Sequence, residues 1–225
     1  MDDNLKVMMQ DLEIALVKKY TSNRDLVLEW GSGGSTLAFS KSVKKYISIE
    51  HDICWYEQIS SRIANDRAFD NIEYHYVPPN APKSDIGLDG ASKGLLSCAG
   101  DAVLHQNTSY WRTRGNFDWH CGINYISKPM ELPYAPYDTI IVDGRCRVFC
   151  SYVSLFILKP EGYLVFHDFL SRRYYHGVLK YFEMVDHVCD LAILKPRKYN
   201  ITDSEVKSLS DSIYEDYNTT IKNNK

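Results

Sequence analysis

Four acidic residues stand at the ends of apolar runs, and a glycine turn follows the first of them. Leu26-Val27-Leu28-Glu29-Trp30 leads into Gly31-Ser32-Gly33-Gly34-Ser35-Thr36, and Lys45 to Glu50 ends on Glu50-His51-Asp52. Later in the chain, Tyr137 to Val142 ends on Asp143-Gly144, and Gly162 to Phe166 ends on His167-Asp168. A glycine turn lets backbone N–H groups approach a ligand closely, and a carboxylate at the next strand end accepts from ribose hydroxyls. Glu29, two residues before Gly31, repels a pyrophosphate and attracts a ligand that carries an ammonium and a sulfonium. His167, with an ordinary pKa of about 6.5, suits proton abstraction near neutrality. Asp143 and Asp168 add two further carboxylates at strand ends, a coincidence that packing does not explain and that favours a site.

These residues need strands that end side by side. The pattern supplies them as alternating strand and helix, which implies a mostly parallel sheet with ligands outside the carboxyl ends of its strands. Helical spacing of Leu5, Met8, Met9, Leu12, Leu16 and Val17 predicts a leading helix from Leu5 to Tyr20. The glycine turn feeds a helix from Ser35 to Lys41, Asp52 caps a helix to about Arg67, and Ile72 to Val77 reads as a third strand. Residues 79–133 lose periodicity while holding six glycines together with Tyr110, Trp111, Trp119 and Tyr125. A connection that long is read as an insertion folding over the site, its aromatics arguing against plain disorder. Regular alternation then returns, with a helix from Arg145 to Lys159 whose inward face is Val148, Tyr152, Leu155 and Phe156. A further helix from Tyr174 to Met184 and closing strands from Val185 to Leu194 complete the pattern, followed by a polar tail after Lys198.

The 225 residues suit one domain, and 44% hydrophobic with 24% charged residues is a folded composition. A net charge of -3 gives no global attraction to nucleic acid. No apolar run reaches membrane-spanning length, and Met1-Asp2-Asp3-Asn4 lacks the basic start of a signal peptide. The six scattered cysteines read as reduced thiols, so a cytoplasmic location is expected. Cys146 and Cys150, one helical turn apart, suit a half-buried helix face as well as a metal pair. A nicotinamide oxidoreductase is disfavoured by Glu29 and by Thr36, where its fingerprint wants Gly or Ala.

Taken together, Glu29-x-Gly31-x-Gly33-x-Ser35-Thr36 and Ile49-Glu50-His51-Asp52 resemble motif I and the following acidic strand end of class I S-adenosylmethionine-dependent methyltransferases. Ser35 replaces the usual third glycine. The resemblance implies a Rossmann-like α/β fold with a mostly parallel seven-stranded sheet, helices on both faces and a long insertion after the third strand. It also implies S-adenosylmethionine as cofactor, with Glu29, Gly31, Ser32, Gly33, Ser35, Thr36, Glu50, His51 and Asp143 around it. Ile141-Val142-Asp143-Gly144-Arg145 and the run from Pro160 to Phe169 resemble the macrocin-type, metal-assisted sugar O-methyltransferases. There aspartates at these two strand ends help hold a divalent cation, and the second is commonly an Asp-Asp pair, where this chain has His167-Asp168.

That resemblance implies methylation of a sugar hydroxyl in a glycan or glycosylated metabolite, with Asp143 and Asp168 around Mg²⁺ or another divalent cation, or around the acceptor. His167 either completes a metal site or acts as general base on a metal-free hydroxyl. Trp119, His120 and Arg145 are candidates for contact with a small-molecule or oligosaccharide acceptor. A looser similarity, to the methyltransferase domain of multi-domain glycan-building enzymes of algal viruses, implies fusion to or association with glycosyltransferase domains. The rivals are a catechol-type or other small-molecule O-methyltransferase and a non-catalytic S-adenosylmethionine-binding module.

Overall fold

The computed structural model describes residues 5–78 and 123–197. Seven strands form one sheet: β1 (Leu26–Trp30), β2 (Lys45–Glu50), β3 (Ile72–Tyr76), β4 (Tyr137–Val142), β5 (Leu158–Phe166), β6 (Phe182–Val188) and β7 (Leu191–Pro196). Their order is β3-β2-β1-β4-β5-β7-β6. The first five run parallel to one another, and β7 runs antiparallel between β5 and β6. The reversal of strand order at β1 and β4 opens a crevice above their carboxyl ends, where open α/β sheets bind ligands.

Both faces of this sheet are covered, which is why its central strands are apolar at nearly every position. On one face Leu28, Ile47, Ile140, Leu164 and Phe166 pack beneath the helices α4 (Ile123–Glu131) and α5 (Arg147–Ile157). On the other, Val27, Tyr46, Ile141, Val165 and Ile193 meet Val17 of α1 (Asp11–Thr21) and Phe39 of α2 (Gly34–Phe39). Each fully buried aliphatic or aromatic side chain contributes roughly 1.5–3 kcal/mol. Trp30, wholly buried, also donates its indole N–H to the Tyr125 carbonyl at 3.0 Å and so pins α4 to the end of β1.

Several expectations change here. The leading helix begins at Asp11, because Gln10 and Glu13 form a capping box. The stretch ahead of it crosses Gly34 so closely that a Cβ there would come within 2.4 Å of the Leu5 carbonyl oxygen. Helix α4 lies inside the segment expected as insertion and belongs to the core, with Tyr125 1% exposed. Residues 79–122, with Trp119 and His120, lie outside the described residues. The helix expected from Tyr174 to Met184 is a 3₁₀ segment over Arg173–Lys180, after which Phe182 opens β6. In α5, Phe156 is 52% exposed, and the buried stripe carries Ser151 and Ser154 instead. Their hydroxyls donate to the Arg147 and Cys150 carbonyls, both at 2.8 Å. No helix among the described residues is long and apolar enough to cross a membrane, and the four described cysteines are free.

Candidate active site

The glycine turn is anchored from below by a carboxylate. Glu29 is fully buried in β1, and its two oxygens accept from Ser35 Oγ (2.6 Å), Thr36 Oγ1 (2.6 Å) and Ser48 Oγ (3.0 Å). It therefore ties the start of α2 and strand β2 to β1, rather than standing open to a cationic ligand as the sequence suggests. Ser35 and Thr36 are likewise committed to Glu29. Burial pushes the Glu29 carboxyl up to about 7, against the lowering effect of the three hydroxyls and with a further rise from the Asp143 charge.

Below its unfolded value of 4.5 this group imposes no ionisation cost on folding. Stability is expected to fall as pH rises from there through about 7, by roughly 3 kcal/mol. Glu29→Gln should flatten that slope, as compared by urea midpoints at pH 5 and pH 8. An equally steep decline in the variant would exclude Glu29 as its source.

The turn has two kinds of glycine. Gly31 has a φ of +91°, and a Cβ on it would lie 2.3 Å from the Gly144 Cα, so the ends of β1 and β4 touch backbone to backbone there. Gly33 is extended, and among the described residues a Cβ on it would meet nothing nearer than Ser35 Oγ at 3.9 Å. None of the described residues requires a glycine at position 33 or fills the space in front of it.

Beside the turn, Glu50 is 2% exposed. Its Oε2 accepts from the Ser32 amide and hydroxyl, each at 2.8 Å, and its Oε1 from the His51 and Asp52 amides at 2.8 and 2.7 Å. The His51 Nδ1 lies 2.9 Å from Oε1. Burial alone would raise the Glu50 pKa, but the His51 ring and its charge, the Asp52 amide and the Ser32 hydroxyl hold it below the usual carboxylate value. Ser32 Oγ also lies 2.5 Å from the Tyr74 hydroxyl, an alternative partner when a ligand hydroxyl reaches Glu50. Asp52 caps α3 (Ile53–Ala64) by accepting from the Cys54 and Trp55 amides, as the sequence predicts.

Across the crevice the ends of β4 and β5 bring Asp143, His167 and Asp168 together. Asp143 Oδ1 lies 2.7 Å from His167 Nδ1. With Nδ1 carrying the proton toward Asp143, Nε2 is the nitrogen with a lone pair. It stands 3.7 Å from Glu13 Oε2 and 3.9 Å from Asp168 Oδ1, beyond hydrogen-bond range of either. Burial lowers the His167 pKa, but the Asp143 hydrogen bond and the Asp143 and Asp168 charges outweigh it and an opposing Arg147, leaving the ring more basic than usual.

Glu13 has no place in the sequence reading. It is 2% exposed on α1 and is held by the Gln10 and Asp190 amides at 2.8 and 2.9 Å. Its capping-box spacing after Gln10 is the one signal that marked it, and that signal concerns the helix end.

Arg147 is a second residue whose role the structure supplies. Its Nη1 donates to the His167 carbonyl (2.5 Å) and Asp168 Oδ2 (3.1 Å), its Nη2 to the Asp143 carbonyl (3.0 Å), and its Nε to the Gly144 carbonyl (3.0 Å). Nη2 lies 3.4 Å from Asp143 Oδ1. A basic residue at a helix start opposes the macrodipole and calls for an acidic partner, and here it has two. Arg172 lies 2.8 Å from Asp168 Oδ2. Arg145 sits half-buried in the turn between β4 and α5.

Among the described residues, Asp143, His167 and Asp168 form one trio whose ligand atoms lie within 4.8 Å of one another. The number of donors suits a cation, but one oxygen of each aspartate already faces a guanidinium, Arg147 for Asp143 and both Arg147 and Arg172 for Asp168. A cation on Asp143 and Asp168 would have to compete with those groups.

No protein-family model matches the chain, and no curated protein is similar to it in sequence. Solved structures are similar in fold. A methyltransferase-like protein from Silicibacter pomeroyi aligns over 93% of this chain and 97% of its own, with a TM-score of 0.61 and 21% identity. The fold is that of class I methyltransferases. A Staphylococcus aureus protein assigned as a caffeoyl-CoA O-methyltransferase aligns over 85% of this chain and 86% of its own, at TM-score 0.52 and 14% identity. A Clostridium thermocellum protein assigned as an rRNA methylase covers 84% of this chain and 98% of its own, at TM-score 0.50 and 8% identity. Neighbours assigned to such different acceptors leave the acceptor to the site's own chemistry.

Proposed function

We propose that this protein is an S-adenosylmethionine-dependent O-methyltransferase that methylates a sugar hydroxyl in a glycan or glycosylated metabolite. The observation that carries the reading is the pairing of two features across one crevice. The open space before Gly33 and the buried Glu50 suit a nucleoside with an amino-acid tail, and the Asp143–His167 pair suits a hydroxyl acceptor.

In this reading the acceptor O–H proton passes to His167 Nε2 as the oxygen attacks the sulfonium methyl carbon. The C–S bond breaks, and neutral S-adenosylhomocysteine leaves. Asp143 keeps Nδ1 protonated and the ring in place, and the acceptor oxygen must lie in line with the breaking bond. The sugar class rests on the resemblance of the two later strand ends, and it makes the acceptor a glycosyltransferase product.

Calorimetry with S-adenosylhomocysteine is expected to show binding by the wild type. Gly33→Ala should melt like the wild type yet bind at least about 10-fold more weakly, because its methyl fills the space a ligand needs. Absence of wild-type binding ends the methyltransferase reading. Methyl transfer from labelled cofactor to rhamnose-, fucose- and xylose-containing acceptors then tests the sugar assignment.

A further inference from the structure

We propose that Arg147 is a built-in cation that takes the place of a divalent metal at the ends of β4 and β5, so that this site works without metal. The inference rests on the methyltransferase reading only for the reaction it serves, since metal binding itself can be measured without any acceptor.

Three observations carry it. Arg147 has an 8% exposed side chain, and its guanidinium is fixed by three backbone carbonyls drawn from two strand ends, those of Asp143, Gly144 and His167. It cannot swing aside for an ion without giving up those bonds. The same group reaches one oxygen of each aspartate, at 3.4 Å for Asp143 Oδ1 and 3.1 Å for Asp168 Oδ2, so it bridges the two carboxylates as a metal would. Each of those oxygens has a second partner, His167 Nδ1 at 2.7 Å and Arg172 Nη2 at 2.8 Å. A hard cation needs several oxygens released to it at about 2.1 Å, and here one oxygen of each carboxylate is held by two nitrogen donors.

Arg147 is a positioning residue in this scheme. Its N–H groups are spent on the strand ends, so it holds Asp143 against His167 rather than touching the acceptor. A metal ion would do both, polarising the acceptor oxygen directly. The consequence is a site that relies on the histidine for deprotonation.

Mn²⁺ titration of the wild-type protein, followed by electron paramagnetic resonance and calorimetry, is expected to show no site up to millimolar metal, with methyl transfer unchanged by EDTA. Arg147→Met is expected to bind Mn²⁺ at least 10-fold more tightly than the wild type, and Arg147→Met with Asp168→Asn to lose that gain. Wild-type Mn²⁺ binding that Asp168→Asn abolishes overturns the proposal. So does a folded Arg147→Met protein with no gain in Mn²⁺ binding. If Arg147→Met does not fold, the wild-type titration decides by itself. S-adenosylhomocysteine binding, measured in parallel, tells a failure of this inference from a failure of the methyltransferase reading.

Discussion

Replacing His167 with alanine is expected to lower kcat by about 10²–10⁴-fold while leaving S-adenosylhomocysteine binding intact. The expectation follows from the 2.7 Å contact between His167 Nδ1 and Asp143 Oδ1 and from an Nε2 that has no hydrogen-bond partner at normal length among the described residues. The base works only when neutral, so the rate should rise with pH through the His167 pKa. That pKa lies above the ordinary 6.5 because the Asp143 hydrogen bond and the neighbouring aspartate charges outweigh burial. Asp143→Asn should therefore move the acid limb of the profile to lower pH as well as slow the reaction. A His167→Ala enzyme with wild-type rate and an unshifted profile would remove this residue from the chemistry.

Gly31→Ala should destabilise the protein by about 4 kcal/mol or more, into the range where soluble yield collapses. Two effects add. The backbone there has a φ of +91°, which alanine adopts at a cost. The new methyl would also sit 2.3 Å from both the Cα and the N of Gly144, neither of which can yield without parting β1 from β4. Denaturant melts compare it with Gly33→Ala, two residues on, where the added Cβ comes no nearer than 3.9 Å to any described residue. Equal midpoints for the two variants would show that the contact between the turns is not as tight as described.

The contrast between those glycines marks how far the sequence could be read. The strands β1 and β2 stand where the apolar runs put them, residue for residue, because each run stops at a turn signal and both of its faces are buried. The meeting of Glu50, Asp143 and His167 at one sheet edge also follows, since a parallel sheet aligns strand ends. What a carboxylate does at that edge does not follow. Glu29 looked like a ligand for a cation, yet Ser35, Thr36 and Ser48 consume it, and that depends on side-chain directions in β1, the neighbouring β2 and the start of α2.

Local pattern failed where tertiary pairing decides. Tyr175, Val178 and Phe182 recur at helical spacing, but β7 offers Phe182 a ladder partner in Pro196, and strand wins there. In α5 the polar look of Ser151 and Ser154 hid a buried stripe, because a serine that donates to the carbonyl one turn back can be buried at little cost. Arg147 was legible as a residue in need of an acid, though not as one bridging two.

Glu13 has a further consequence for how the chain acquires its shape. It accepts from the Asp190 amide across 177 positions, and Lys19 on the same helix meets Asp186 across 167. Contacts so distant along the chain form only after a large closure entropy has been met. Helix α1, made well before β6 and β7, is thus secured only once they are in place. A chain stopped short of residue 190 carries, in Glu13, a carboxylate whose burial partner has not yet been made.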